Sequence, residues 1–379
     1  MRLRKIRTLW LNGLLILCLG WSSLPAQADS TEFDVTEVVS GLGIPWGMAF
    51  LDGNRLIFTQ RAGKAGLLDV RNGDITWLKG VPFVYDTGQG GLLDVKPAPD
   101  FKQNGWIYFT YSKPRPTTAI TALARAKIQG DELVDWEDLL VTKSESYRNI
   151  HFGSRIAFDH RGHVFFSVGD RGRRHKAQQQ DNHAGSILRL TLDGGVPKDN
   201  PFAGQPGSLP EIWSYGHRNP QGLAYDVRHQ RLWEIEHGPR GGDEINLIQK
   251  GENYGWPIVS RGKEYGSDEP VGKPHQAGMI EPVKVYIPSI APSSLLLYDG
   301  EAFPQWRGNL FAGSLVLRHL NQVVLSPQGK AIAEHRLLKD LNQRIRSLAQ
   351  DPQGHLYVAT DSGKIYRLSP ASSSDSLLE

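Results

Sequence analysis

His151 is the residue whose type and setting most directly suggest acid–base chemistry. It lies in the segment NIHFGSR at residues 149–155, immediately before a predicted strand. Histidine can act as a general base because its pKa lies near working pH. The chain has 12 histidines, and His160 and His163 are predicted to be surface residues in the next turn. A structural or loop role therefore remains the alternative for His151 when it is considered alone.

A second candidate is the pair Arg218 and Asn219, in the segment GHRNPQG at 216–222. Adjacent guanidinium and amide groups can bind a carbonyl oxygen or an anion in a fixed geometry. The alternative is an arginine that only holds a loop in place.

The third cluster is rich in oxygen ligands and suits calcium. It runs EHGPRGGDE at 236–244 and is followed by NYGWP at 253–257. A Gly-Pro turn exposes backbone carbonyls, and the neighbouring carboxylates add charged oxygens. The alternating acidic spacing of an EF-hand is absent. A plain polar turn is the alternative.

The fourth cluster, QRIR at 343–346, places two cations on one face. Strand alternation puts Arg344 and Arg346 on the same side. Such a pair suits a polyanionic ligand, since like charges on a solvated edge strand usually have a counterion. Gln89, in DTGQGG at 86–91, holds the corresponding position in another copy of the repeat described next.

These clusters lie beside a unit that recurs six times. Each copy has an apolar strand, a polar turn and a second strand rich in aromatic and β-branched residues. The copies begin at Trp46, Gly91, Ser154, Gln221, Ser293 and Arg346. Copies about 45 to 70 residues apart, with antiparallel meanders, predict an all-β fold, a six-bladed β-propeller of four-stranded blades. Propellers bind ligands over the channel mouth, where the clusters would meet.

We expect a single propeller domain over residues 29–369. The last copy supplies about three strands, so the alternating strand at 33–39 is predicted to complete the final blade and close the ring. The Ser-rich tail at 370–379 is predicted to be disordered.

Residues 1–28 have the pattern of a cleavable secretory signal. A basic segment to Arg7 precedes an apolar stretch, and Ala26-Gln27-Ala28 forms a small-x-small cleavage site. The stretch is too short for a membrane anchor, and Asn12 interrupts it. This predicts a periplasmic or secreted protein with no membrane insertion after cleavage. Cleavage also removes the one cysteine, Cys18, which excludes disulfides and thiolate sites.

Composition and missing motifs exclude several functional classes. The chain has 43 Lys+Arg and 40 Asp+Glu among 379 residues, and four of those cations lie within residues 1–28. This balance argues against a nucleic-acid partner. No Walker loop or GxSxG elbow is present, and the glycines at 41 and 43 lack the GxGxxG spacing. Nucleotide, nicotinamide and serine-hydrolase chemistry are therefore disfavoured.

Taken in order, the motifs resemble one known family over about residues 41–370. They are IPWGMAF, GQGGLLD, HFGSRIAFD, GHRNPQGLAYD, EHGPRGGDEIN, NYGWP, IAPSS and QRIR. This set resembles the soluble quinoprotein glucose/sorbosone dehydrogenases, and most closely their periplasmic aldose sugar dehydrogenase branch. The resemblance implies a six-bladed propeller that holds pyrroloquinoline quinone (PQQ) and calcium over its mouth. It also implies oxidation of the C1 hydroxyl of aldoses to the lactone, with electrons passed to an external acceptor.

The resemblance further implies roles for individual residues. His151 would remove the hydroxyl proton while hydride passes to the quinone. Arg218 and Asn219 would contact the quinone, with Arg218 stabilising negative charge on the reduced ring. The carbonyls of Gly238 and Pro239 would bind the catalytic calcium, which would polarise a quinone carbonyl.

The resemblance also implies a second calcium site and further cofactor contacts. Glu244 and the Tyr254 carbonyl would be the second site. The other implied contacts are Gln89, Tyr265, Ser314, Leu315, Val316, Arg344, Ile345 and Arg346.

One residue departs from the family pattern. Val316 stands where the family usually has lysine, and Arg318, two residues on, would share its face on a regular strand and could replace the cation.

Two other functions stay open, a calcium-dependent propeller lactonase or related hydrolase and a non-catalytic binding propeller. The chain is expected to be a monomer or homodimer.

Overall fold

Six four-stranded antiparallel sheets make up the computed structural model, which describes residues 32–371. The predicted secretory signal and residues 372–379 of the predicted tail lie outside the described residues. The innermost strands of successive sheets contact one another around a closed ring. The predicted six-bladed β-propeller is therefore confirmed.

The strands follow the chain blade by blade, after a first strand β1 (Phe33–Val39). Blades one and two are β2 (Pro45–Phe50), β3 (Arg55–Gln60), β4 (Lys64–Asp69), β5 (Ile75–Leu78), β6 (Leu92–Pro97), β7 (Ile107–Pro114), β8 (Ala119–Gln129) and β9 (Glu132–Val141). Blades three and four are β10 (Ile156–Phe158), β11 (His163–Val168), β12 (Ser186–Thr191), β13 (Ile212–Tyr215), β14 (Pro220–Asp226), β15 (Arg231–Glu236), β16 (Asp243–Ile248) and β17 (Lys284–Tyr286). Blades five and six are β18 (Pro292–Leu297), β19 (Leu310–Ser314), β20 (Leu320–Leu325), β21 (Ala331–Leu337), β22 (Ile345–Gln350), β23 (Leu356–Thr360) and β24 (Ile365–Pro370).

Helices in the described part of the chain are short. They are the α-helix α1 (Phe101–Asn104) and three 3₁₀ turns, Arg174–Gln178, Pro304–Trp306 and Lys339–Leu341. None of the helices among these residues is long and apolar enough to cross a membrane.

Strand β1 closes the ring, as the alternation at 33–39 predicts. It pairs antiparallel with β24, so blade six takes its outer strand from the start of the described chain. The register places Phe33 opposite Pro370. The predicted tail therefore begins one residue too early, because Pro370 is the last residue of β24.

Six larger apolar clusters among the described residues lie at the junctions between neighbouring blades, one at each junction. Ile57 of blade one packs with Phe109 of blade two, for example, and Met48 of blade one packs with Tyr357 of blade six. The other four clusters fill the remaining junctions in the same way. Because every blade buries both faces against a neighbour, the ring is stabilised by burial of apolar surface all the way round.

The innermost strands are bulged where they enter the ring. A register shift occurs near the start of the inner strand in blades one, two, four, five and six. The bulge of blade one contains Gly47, where a Cβ atom would lie 2.8 Å from the Cα of Asp94 in blade two. Glycine therefore permits the backbones of the two inner strands to approach this closely.

Arg155 joins the blades at the centre of the ring. Its guanidinium pairs with Asp94 of blade two at 3.2 Å and lies 3.9 Å from the ring centroid of Trp46, in blade one. It also donates to the backbone carbonyls of Gln221, Ser293 and Arg346, which belong to blades four, five and six. One side chain, 4% exposed, thus contacts all five other blades.

We expect the Arg155→Met substitution to lower the free energy of unfolding by about 3 to 5 kcal/mol, because it leaves Asp94 buried without its cation. Urea unfolding monitored by tryptophan fluorescence measures this loss. The matched control is Arg55→Met, since Arg55 pairs with Asp52 at the surface and its loss should cost about 1 kcal/mol or less. Equal losses in the two variants would contradict the central role of Arg155.

Candidate functional site

His151 lies at the channel mouth in the loop that leads to β10. Its backbone adopts a φ of 55°, in the left-handed region that residues other than glycine rarely occupy. Gln89 from blade two holds this conformation, because its Oε1 accepts the His151 backbone N–H at 2.7 Å. Two residues that the sequence analysis selects are therefore in direct contact.

Asp170 orients the His151 ring. Its Oδ1 lies 2.7 Å from His151 Nδ1 and also accepts the Gly172 backbone N–H, while its Oδ2 accepts the Trp256 indole N–H at 2.8 Å. An ionised carboxylate only accepts hydrogen bonds, so the ring proton sits on Nδ1 and Nε2 keeps its lone pair. Asp170 is not among the residues predicted from the sequence, although it ends the third repeat copy in the segment SVGD.

The electrostatics of this pair favour a neutral imidazole. Burial lowers the pKa of His151 below its ordinary value of 6.5, and the charges of Arg218 and Arg171 lower it further, whereas Asp170 opposes the shift. Burial alone would raise the pKa of Asp170, but the hydrogen bond and charge of His151 bring it below the usual range. At neutral pH the pair is therefore an uncharged base held by a carboxylate.

The first of two cavities at the mouth has a volume of about 300 Å³ and contains His151 in its wall. Arg218 also lines it, with its guanidinium 5.3 Å from the Trp256 ring centroid and Nη2 3.4 Å from the Tyr265 hydroxyl. The Nε of Arg218 is buried and has no hydrogen-bond partner among the described residues. This cavity brings together four predicted site residues, Gln89, His151, Arg218 and Tyr265.

The second cavity, of about 250 Å³, shares Gln89 with the first. It brings together a further five predicted residues, Asn219, Leu315, Val316, Arg344 and Arg346. Trp46 and Arg61 also line it, and the sequence analysis did not select them as contacts.

Two predicted cofactor contacts have side chains in the packed interior. The Ser314 hydroxyl is buried and donates to the Ile290 carbonyl at 2.9 Å. Ile345 is 1% exposed and packs in the apolar cluster between blades five and six. Neither side chain lines the two cavities.

The Arg344 and Arg346 pair has a counterion, Asp361, that the sequence analysis missed. Asp361 accepts from Arg344 Nε at 2.9 Å and from Arg346 Nε at 2.7 Å. Burial would raise the pKa of Asp361, but the two guanidiniums bring it below its usual range. The three groups together carry a net charge of +1, whereas the two arginines alone would carry +2.

Arg318 does not occupy the position expected of a substitute for lysine. Strand β19 ends at Ser314, and Arg318 has a φ of 51°, so the alternation on which the expectation rests does not continue. The Arg318 guanidinium instead donates to Asn342 Oδ1 at 3.3 Å. Val316, by contrast, is 56% exposed and lines the second cavity beside Arg344 and Arg346.

Asp243 shapes the Gly238-Pro239 turn. Its Oδ1 accepts the Gly238 backbone N–H at 2.9 Å, and its Oδ2 accepts from the segment that precedes β18. The Pro239 carbonyl already accepts the Lys263 backbone N–H at 2.7 Å, which uses one of its lone pairs. The Gly238 residue lines a small cavity of about 20 Å³ with Glu244 and Tyr254. That volume is enough for one ion or water molecule.

Glu244 has a cation of its own in this structure. Its Oε1 lies 3.1 Å from Arg261 Nη1, and the other end of Arg261 pairs with Glu281. Burial is the main cause that raises the pKa of Glu244 to about 8, and the negative charge of Glu236 adds to the shift. Arg261 opposes it. A calcium ion bound to Glu244 would therefore have to share it with this guanidinium.

Three curated relatives resemble this chain over most of its length. The uncharacterized protein slr1608 of Synechocystis sp. (strain ATCC 27184 / PCC 6803 / Kazusa) is 41% identical, covering 90% of this chain and 88% of the relative. Aldose sugar dehydrogenase YliI of Escherichia coli (strain K12) is 39% identical, covering 94% and 97%. Quinoprotein glucose dehydrogenase B of Acinetobacter calcoaceticus is 29% identical, covering 89% and 87%.

Solved structures and a family match agree with these relatives. The apo-form of the soluble aldose sugar dehydrogenase from Escherichia coli superposes with a TM-score of 0.86 at 37% identity, covering 90% of this chain and 100% of that one. The PQQ-bound aldose sugar dehydrogenase from Streptomyces coelicolor gives 0.75 at 27% identity, covering 89% and 98%. The family described as Glucose / Sorbosone dehydrogenase matches residues 42–367. The chain therefore belongs to the glucose/sorbosone dehydrogenase family.

Proposed function

We propose that this protein is a PQQ- and calcium-dependent aldose dehydrogenase that oxidises the C1 hydroxyl of an aldose to the lactone. The observation that carries the proposal is the His151–Asp170 pair, a neutral base in the wall of a cavity that adjoins a second, cationic cavity. A relative named as a quinoprotein and a structure described as PQQ-bound support the choice of cofactor.

The residues of the two cavities fit an anionic quinone. PQQ is a planar tricarboxylate, and when bound it supplies the two-electron acceptor that none of the lining side chains can supply. Arg344, Arg346 and Arg61 offer donors to carboxylates, with Asp361 offsetting one of the charges. The buried and unpartnered Nε of Arg218 offers a further donor to a ligand oxygen.

The chain's own residues would handle the substrate proton. His151 Nε2 would accept the proton of the sugar C1 hydroxyl, and the imidazolium that results would be stabilised by Asp170. The Trp256 indole and the Gly172 N–H hold Asp170 in place, so the ring would keep its orientation when it becomes charged. Arg218 would supply positive charge beside the same cavity.

Calcium would bind at the Gly238-Pro239 turn. Asp243 fixes the turn through the Gly238 N–H, and the Pro239 carbonyl keeps one lone pair after it accepts the Lys263 N–H. A second ion at Glu244 and the Tyr254 carbonyl fits less well, because Arg261 already pairs with Glu244. We therefore assign the required calcium to the Gly-Pro turn.

The proposal extends to location and partners. Residues 1–28 would direct export, which would place the mature chain in the periplasm or outside the cell. Its partners would be an aldose and an external electron acceptor, and it would act as a monomer or homodimer.

We expect activity to require both PQQ and calcium. Purified protein stripped of metal and quinone should not oxidise glucose with a dye acceptor, and adding both should restore activity. A panel of aldoses then identifies the preferred sugar. Full-rate oxidation by the stripped protein would disprove the cofactor assignment, while lactone hydrolysis without quinone would support a propeller lactonase.

His151→Ala should lower kcat by about 10² to 10⁴ and leave PQQ binding intact, since it removes a proton acceptor and not a cofactor contact. Stopped-flow turnover of the reconstituted variant, with PQQ binding measured by fluorescence quenching, checks both. His335→Ala, at an exposed position on β21, is the control. A normal kcat in the PQQ-loaded His151 variant would place the base elsewhere.

The pH profile provides a second readout of the same pair. Only neutral His151 can accept a proton, so kcat/KM should rise with pH through a midpoint below 6.5. Asp170→Asn removes the charge that raises the His151 pKa, so the midpoint should move lower still while the rate falls. A midpoint that moves upward would contradict this account.

Val316→Lys should tighten PQQ binding by about tenfold, near the lower end of the 1.5 to 3 kcal/mol range for a charge-assisted hydrogen bond because the position is half exposed. Arg318→Ala is the matched control and should leave the Kd unchanged, since Arg318 contacts Asn342 and not the cavity. PQQ titrations of the calcium-loaded apo-proteins measure both constants. Identical constants for wild type and Val316→Lys would remove this loop from the cofactor site.

A further inference from the structure

A buried cluster in blade four lies behind the mouth and has no part in the proposed reaction. The residues His217, Glu234 and Glu236 each offer one ligand atom, and these three atoms lie within 4.8 Å of one another. Glu234 and His217 have no exposed surface, and Glu236 is 5% exposed. A nitrogen and carboxylate oxygens at this spacing can surround one metal ion.

Two oxygens at this cluster lack hydrogen-bond partners. Glu234 Oε1 and Asn246 Oδ1 are both buried and unpartnered among residues 32–371. The two side chains are in contact, because Asn246 Nδ2 donates to Glu234 Oε2 at 2.9 Å. A buried oxygen without a donor destabilises the fold, so two together call for a positively charged or donating group.

The charge balance leads to the same conclusion. In the described part of the chain, neither Glu234 nor Glu236 forms an ion pair with lysine or arginine, and the ion-pair partner of Glu236 is His217 at 3.2 Å. Glu236 Oε2 accepts the backbone N–H groups of Arg218 and Asn219, which leaves Oε1 facing His217. Two buried carboxylates need more compensation than one imidazole, two backbone N–H groups and the Asn246 side-chain amide provide.

We infer that this cluster binds a divalent cation. Its ligands would be His217, Glu234, Glu236 and the Asn246 side-chain oxygen. The mixed nitrogen and oxygen donors favour a zinc-like ion over calcium, which prefers oxygen ligands alone. The His217 Nε2 lies 2.9 Å from the Ser214 hydroxyl, and in the tautomer that donates to this hydroxyl the Nδ1 lone pair is free for the metal.

This site differs from the calcium site proposed above. The small cavity at Gly238 is lined by Glu236, Glu244 and Tyr254, and neither Glu234 nor Asn246 lines it. Glu236 lies between the two locations and also holds the backbone of Arg218 and Asn219. An ion here would brace the loop that presents Arg218 to the mouth, so its role would be structural.

The test uses the full mature protein without quinone, so it is independent of the proposed oxidation. Protein stripped with a chelator is dialysed against Zn²⁺, and bound zinc is measured by mass spectrometry together with the Tm. We expect Glu234→Gln to bind about one equivalent less zinc than wild type and to lose the zinc-dependent rise in Tm. Zinc bound by surface histidines is unaffected by this change and cancels in the comparison.

The matched control is Glu211→Gln, since Glu211 is a half-buried glutamate that pairs with His183 at 3.3 Å and lies outside the cluster. It should keep the zinc equivalent. The competing explanation is a proton on Glu234 donated to Asn246, which glutamine would mimic. Equal zinc content in wild type and Glu234→Gln, with an equal or higher Tm in the variant, would overturn the metal site.

A second variant, Asn246→Asp, tests the same metal site and does not depend on the folding of Glu234→Gln. An added carboxylate should tighten zinc binding and enlarge the zinc-dependent rise in Tm. If the cluster is instead held by a proton, the extra buried charge should lower the Tm whether or not zinc is present, and that result would also overturn the inference.

Discussion

The contacts of one guanidinium constrain the whole mouth of this propeller. Arg155 reaches from blade three to every other blade, and three of its acceptors are backbone carbonyls. Burial lowers its pKa to about 10, which still leaves it charged at neutral pH. Gln221 and Arg346, whose carbonyls it binds, also line the second cavity. The charge that holds the blades together therefore also sets the distances between the groups around the cavity.

Three carboxylates at the mouth already have hydrogen-bond or ion-pair partners, and they hold those partners in position. Asp170 holds His151, Asp361 holds Arg344 and Arg346, and Asp243 holds the Gly-Pro turn. Each acidic group orients a functional residue and none is left free as a nucleophile or base. The arrangement fits the proposed role of His151 as the base. It also preorganises the positive charges, which reduces the reorganisation needed on binding an anion.

Membership of the glucose/sorbosone dehydrogenase family does not make this site identical to the family pattern. Val316 stands where the family usually has lysine, and Arg318 contacts Asn342 instead of lining the second cavity. Arg261 pairs with the carboxylate of Glu244, where the family resemblance implies calcium. Both features bear on the affinity for the proposed cofactors.

The sequence by itself determined the architecture and most of the residues at the mouth. Strand alternation and a sixfold repeat depend on local patterns, so they predict the blades, the closing strand β1 and the loops that carry His151 and Arg218. Only the tertiary structure decided which partners those residues have. The contacts of Arg155 join distant segments, and Asp361 meets its arginines only once β22 and β23 are paired. The pKa of His151 depends on burial that no local pattern encodes. The expected role of Arg318 failed for the same reason, since the chain leaves the strand before reaching it.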